Sequence, residues 1–242
     1  AEGGQDRLND WCRTVGPPVV SSEPTAKFSS LPFGGTLTVV SWNVDVGGGD
    51  VPAFLQTELG LTCEGSSSRL APGADHFVLL VQEAFRRSNE IPGAPPGATI
   101  PRAVAEYERP GERLDAVEVA ARCGLSLVYV AAARNGSEPN DGQREDKGVA
   151  ILSTLPLEDV FFIELPYEAA RRVAASATVR DESGEPLLDL RTLRQHLAHR
   201  PAAQLPPGPP ELQPRGEEQA APDRLTEYKF FESLEHVQPS CV

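Results

Sequence analysis

The stretch Thr36-Leu37-Thr38-Val39-Val40-Ser41-Trp42-Asn43-Val44 decides the fold class. Its β-branched and aromatic residues follow one another up to the breaker Gly47-Gly48-Gly49, a composition that favours a strand over a helix. Because the run is continuously apolar and does not alternate, it predicts a strand buried on both faces. Val51 to Leu59 then reads as a short helix, with Pro52 tolerated in its first turn. A second strand of the same character, His76 to Glu83, ends abruptly in a carboxylate.

Downstream, Ile91 to Pro101 is rich in Pro and Gly and reads as a surface loop. Glu112 to Cys123 carries apolar residues at helical spacing and stops at Gly124. Strands are expected at Leu125–Ala132, Gly148–Ser153, Val160–Leu165 and Arg172–Val179. The alternation predicts an α/β domain with sheets covered by helices. Its limits are read as 36–190, after an irregular leader over 1–35 and before a segment 191–242. That last segment combines a helix over Thr192–His199, a Pro-rich tail over Pro201–Pro222 with too little apolar content to fold alone, and an amphipathic helix over Leu225–Leu234.

Composition narrows the function classes. With 242 residues and 40% hydrophobic content, one globular domain with a tail is expected. A formal net charge of −13 disfavours long duplex DNA as a partner, since such binding rests on cationic contacts to phosphates. No apolar stretch reaches the roughly 18 residues of a membrane span, which predicts a soluble chain. Methionine is absent even at position 1, so the chain is expected to be a processed product or a fragment, with export after signal-peptide cleavage as one explanation. The four cysteines, Cys12, Cys63, Cys123 and Cys241, have no zinc-ligand spacing. A Cys12–Cys63 disulfide is expected if the chain is exported, and Cys123 reads as a small buried hydrophobe. Asn135-Gly136-Ser137 matches a glycosylation acceptor.

Two polar residues stand out against this apolar background. Asn43 and Glu83 each close an apolar strand. Asn43 has an ordinary explanation as a turn former, whereas a carboxylate beside an apolar strand needs a partner, a metal or solvent. Two strands delivering polar groups to one end of a sheet is a common way to build a site on a rigid scaffold. A single carboxylate with open coordination positions suits Mg²⁺, whose shell substrate phosphate oxygens complete.

Ser41-Trp42-Asn43-Val44 followed by Val81-Gln82-Glu83 resembles the paired motifs of the endonuclease/exonuclease/phosphatase superfamily, the DNase I-like proteins. Asp146-Lys147-Gly148-Val149-Ala150-Ile151-Leu152-Ser153, running on to Pro156-Leu157, is similar to that family's glycine-led strand. Arg171-Arg172-Val173-Ala174-Ala175 resembles its next strand, in the family's order.

The resemblance implies a four-layered α/β/β/α sandwich and Mg²⁺-dependent (Mn²⁺ also suitable) cleavage of a phosphoester by an activated water. Glu83 would be the metal ligand, and Asn43 would orient metal-bound water or phosphate. Arg134 and Asn135, placed in a loop after the strand over 125–132, would contact phosphate. The family's later histidine, Gly-Asp-x-Asn and Ser-Asp-His motifs have no counterpart here, and His196 and His199 fall in a basic helical stretch. A general base contributes roughly 10²–10⁴ in rate, so weak or absent hydrolase activity is expected, from a partial sandwich in a truncated gene product. The substrate class, whether nucleic acid, phosphoinositide-like or small phosphorylated molecule, stays open. The alternative is a catalytically dead phosphate-binding or protein-interaction module on the same scaffold; a third is a secreted binding domain with an acidic tail.

Overall fold

β5 (His76–Ser88) lies inside the main sheet, and its Phe77, Val78 and Leu79 leave no surface to solvent on either face. The computed structural model describes residues 13–32, 34–93, 113–135, 144–165 and 172–193. All lie in one compact unit; a second, His196–Val237, falls outside the described residues, as do the expected helix over Leu225–Leu234, the Pro-rich tail, His196 and His199.

The other members of the main sheet are β1 (Val19–Ser21), β2 (Leu37–Asn43), β6 (Ser126–Asn135) and β7 (Arg144–Ser153), in the order β1-β6-β7-β5-β2. β2 runs parallel to β5, while the other pairings are antiparallel. Between β2 and β5 the chain forms α1 (Val51–Thr57) and a small ladder of β3 (Leu61–Thr62) with β4 (Arg69–Leu70). α2 (Ala116–Cys123) precedes β6, and β8 (Glu158–Leu165), β9 (Arg172–Arg180) and β10 (Pro186–Leu193) form an antiparallel sheet with β9 in the middle. The protein is thus a mixed α/β fold made mostly of strands.

Period-two alternation separates two cores. Phe77, Leu79, Val81, Leu127, Tyr129, Ala150 and Leu152 face α1 and α2, where they meet Val51, Leu55, Val119 and Ala120. Val78, Val128, Val130, Val149 and Ile151 face the second sheet and meet Val173, Ala175, Ala177 and Val179 of β9. The layers therefore run helices, five-stranded sheet, three-stranded sheet. Among the described residues no helix is long and apolar enough to cross a membrane.

Several sequence expectations need correction. β2 is an edge strand with Val39 46% exposed, so its apolar run does not mark burial on both faces. β5 does not stop at Glu83 but continues to Ser88. α2 begins only at Ala116, because Asp115 caps it by accepting from Val117 N and Glu118 N at 2.7 and 3.2 Å. It ends at Gly124, whose left-handed φ of 66° suits a glycine terminator. Thr192 belongs to β10 and not to a helix. Residues 13–21 of the expected leader are tied into the main sheet through β1.

Cys63 is disulfide-bonded to Cys123, which overturns both the Cys12–Cys63 pairing and the reading of Cys123 as a lone buried thiol. The helical spacing around Cys123 was read correctly as apolar; it did not reveal that the 61–68 segment folds back against the end of α2. The bridge joins positions 60 apart in sequence, a closure worth about 4 kcal/mol in the chain-entropy description. Cys63→Ser/Cys123→Ser is expected to lower the unfolding free energy by about 2–5 kcal/mol in urea titrations; an unchanged midpoint would show that the bridge contributes nothing to stability.

Candidate functional site

Two β-bulges face one another across Gly148. On β5 the register steps from Gln82 opposite Val149 to Ala84 opposite Gly148, making Glu83 the extra residue. On β6 it steps from Ala131 opposite Gly148 to Ala133 opposite Lys147, making Ala132 the extra residue. A bulge bends its strand and re-aims a side chain. Between them no side chain fits on β7, since a Cβ at Gly148 would stand 1.9 Å from the Val130 carbonyl oxygen.

Glu83 holds the left-handed region at φ 55°, and Asp45 and Val46 follow it at 51° and 56°. For residues with a Cβ this costs on the order of 1–2 kcal/mol each. These three positions are neighbours, since Asn43 is in register with Gln82 and Val44 N donates to Gln82 O at 3.0 Å, while Asp159 has the same conformation, at φ 47°, in the three-stranded sheet. Asn43 is exposed, and its Oδ1 accepts from Asp45 N at 2.9 Å, the bond of a turn-forming asparagine. The fold therefore brings Asn43 and Glu83 to the same rim.

Arg134 and Asn135 lie elsewhere than expected. They are buried residues of β6 itself, not of a loop beyond it, because the Ala132 bulge lets β6 keep pairing with β7 as far as Asn135 opposite Glu145. Arg134 Nη1 donates to the carbonyl oxygens of Thr14, at 3.3 Å, and Pro92. Asn135 Nδ2 donates to Glu145 Oε2 at 2.9 Å, which takes this atom away from glycosylation chemistry.

Arg134 belongs to a row of buried charge that the sequence analysis missed. Arg86, Asp146 and Arg134 are in register on β5, β7 and β6, and all three are at most 3% exposed. Asp146 Oδ1 accepts from the Tyr129 hydroxyl at 2.5 Å, and its Oδ2 from Gly16 N at 2.9 Å. Arg86 donates to Pro17 O at 2.8 Å and to the Glu90 carboxylate. Burial pushes the Asp146 carboxyl up to about 6, a rise that the Tyr129 and Gly16 bonds and the nearby Arg86 charge hold in check. Burial also raises the Tyr129 hydroxyl, reinforced by the Asp146 charge. Asp146 gave no signal of the kind that singled out Glu83, because it lies in the charged run Arg144-Glu145-Asp146-Lys147 ahead of Gly148 and reads there as a solvated charge.

Arg113 was also missed, having been read as the second residue of a helix. Its guanidinium lies 4.7 Å from the Phe85 ring centroid and pairs with Glu145 at 3.0 Å, so Glu145 links Arg113 to Asn135. Among the described residues no three His, Cys, Asp or Glu side chains gather as a metal-holding group. An open cleft of about 500 Å³ lies on the helical side, lined by Asp50, Gln56, Cys63, Glu64 and Arg122 among others, and includes none of the four residues read from sequence. No family model matches the chain, and searches of curated proteins and of solved structures find no match either.

Between the ordinary aspartate value and about 6, native Asp146 keeps a proton that the unfolded chain has released, so its contribution to stability falls as pH rises through that window. The rise corresponds to about 3 kcal/mol. Urea unfolding at several pH values from 4 to 7 is expected to show this downward component in the wild type and to lose it in Asp146→Asn; identical pH profiles would refute it. At the bulge, Glu83→Gly is expected to hold or raise stability by up to about 1 kcal/mol, since glycine adopts the left-handed region without strain. A loss well beyond that would make the Glu83 side chain a structural element.

Proposed function

We propose that this chain is a Mg²⁺-dependent phosphoester hydrolase of the endonuclease/exonuclease/phosphatase type, with Glu83 as metal ligand and Asn43 beside it orienting water or phosphate. The helix, sheet and sheet layers agree with three layers of the four-layered sandwich that this reading requires. The observation that carries the proposal is Glu83, a carboxylate held at positive φ on a bulge next to the Asn43 rim. Backbone strain of this kind concentrates at functional positions. Ala132 forms the facing bulge without entering the left-handed region, whereas Asp159, in the register irregularity of β8, enters it at φ 47°.

One carboxylate and one amide suit Mg²⁺ or Mn²⁺, which keep several waters and take phosphate oxygens as further ligands. Such an ion, when bound, supplies Lewis-acid polarisation of the phosphoryl group. Glu83 would hold it, and Asn43 would place a water or a phosphate oxygen by hydrogen bonding. A phosphorylated small molecule or lipid-like headgroup fits the net charge of −13 better than long duplex DNA. A second reading is a phosphate-binding or protein-interaction module without turnover; in either reading Arg134 Nη1 and Asn135 Nδ2, engaged by Thr14, Pro92 and Glu145, are not the phosphate contacts.

Calorimetric titration of Mg²⁺ and Mn²⁺ into the wild-type chain and into Glu83→Gln, with circular dichroism to confirm folding, is expected to show metal binding weakened at least tenfold in the variant. Hydrolysis of bis(p-nitrophenyl) phosphate is expected to be slow and to fall with it. Equal metal binding by both folded proteins would sink the metal-ligand role of Glu83; metal and phosphate binding without any turnover would select the second reading.

A further inference from the structure

Arg113 combines three features not found together elsewhere in the described residues. Its guanidinium is oriented by the Phe85 ring beneath it, with the centroid 4.7 Å away. Its Nη2 is held by Glu145, at 3.2 Å from Oε1 and 3.0 Å from Oε2. Its Nη1 is buried and has no hydrogen-bond partner. A buried donor left in that condition calls for a ligand, since native structures satisfy nearly all such groups. The ring contact and the bond through Nη2 restrain the guanidinium, so little rotational freedom is left to lose on binding.

The position is also right for the proposed site. Leu114 N donates to Gly47 O at 2.9 Å, which ties the residue after Arg113 to the loop that starts at Asn43 and Val44. Phe85 follows Glu83 by two residues on β5, about 7 Å of strand.

We propose that Arg113 is the phosphate-contacting residue of this site, its Nη1 donating to an oxyanion oxygen of a phosphate monoester or diester. The assignment rests on the phosphoester reading of the Asn43–Glu83 rim, but it is tested without metal. In this arrangement Glu145 is a positioning residue that shares its carboxylate between Arg113 and Asn135, and Arg134 serves the fold.

The test is titration of the full chain with inorganic phosphate and with dimethyl phosphate, at constant ionic strength and without divalent metal. The proteins compared are the wild type, Arg113→Gln, Arg113→Lys and Glu83→Gln. Both Arg113 variants are expected to bind phosphate at least tenfold more weakly than wild type, with the lysine variant keeping charge and fold but lacking the planar two-nitrogen fork. Their Mn²⁺ titrations should match wild type, and Glu83→Gln should keep its phosphate binding. Tighter binding of dimethyl phosphate than of inorganic phosphate would mark a diester substrate, the reverse a monoester, and either supports the assignment. Wild-type affinity in folded Arg113→Lys, or no phosphate binding by wild type at all, overturns it. Loss of metal binding in Glu83→Gln alongside unchanged phosphate binding in the Arg113 variants would sink this inference while leaving the metal site standing.

Discussion

A carboxylate with no exposed surface sits near the end of the main sheet, and the path of the chain around it follows from keeping it there. An ionised Asp146 without partners would cost several kcal/mol in a low-dielectric interior. It is supplied with the Tyr129 hydroxyl, the Gly16 amide and a guanidinium on either side. Those arginines bring their own requirements. Arg86 takes Pro17 O, and Arg134 takes Thr14 O and Pro92 O. Residues 14–17, which carry no periodic pattern, are thereby fixed across the sheet, and β1 begins two residues later against β6.

The two bulges make this arrangement possible. Along β6 the residues facing the helices are Leu127, Tyr129 and Ala131, and along β5 they are Phe77, Leu79 and Val81. Strict alternation beyond them would turn Arg134 and Arg86 toward the second sheet, among Val130, Val149 and β9. One extra residue in each strand reverses the alternation, and both arginines come into register with Asp146 on the Tyr129 face. Gly148 is the counterpart on β7, where the Val130 carbonyl leaves no room for a Cβ. One bulge thus has two consequences: it buries Arg86 beside Asp146, and it sets Glu83 in a strained conformation next to Asn43.

Much of this was legible in the sequence and some was not, for identifiable reasons. Strands β5 to β9 were visible because continuous or alternating β-branched runs report burial directly, and the helix ending at Gly124 because its stop signal is local. The bulges were invisible, since a single extra residue leaves no mark on an apolar run; Glu83 consequently looked like a strand end and Arg134 like a loop residue. The edge position of β2 is a property of strand order, which no local pattern encodes. Cys63 and Cys123 are 60 apart, and their pairing depends on how the β3–β4 segment folds onto α2. That Asn43 and Glu83 come to one rim was legible because each residue violates the pattern of its own strand. Arg113 was not, because it precedes a cap, Asp115, that only the structure separates from the helix.

The proposed function at this rim would depend on how firmly its parts are held. Asp115 accepts from Arg87 N at 2.6 Å while capping α2, so the helix start is fixed to β5 just beyond the bulge. Leu114 N reaches Gly47 O, and a Cβ on Gly47 would come within 2.7 Å of Phe85 Cβ, so the loop after Asn43 is pressed onto the same strand. Asn43, Glu83 and Arg113 therefore ride on one frame of backbone hydrogen bonds and are not carried on three independent loops. In the proposed site a ligand bound across them would order few side chains, the entropy that a flexible site would lose on binding being already spent in folding. That same rigidity explains why left-handed conformations at Asp45, Val46 and Glu83 persist, since the surrounding bonds over-determine the backbone.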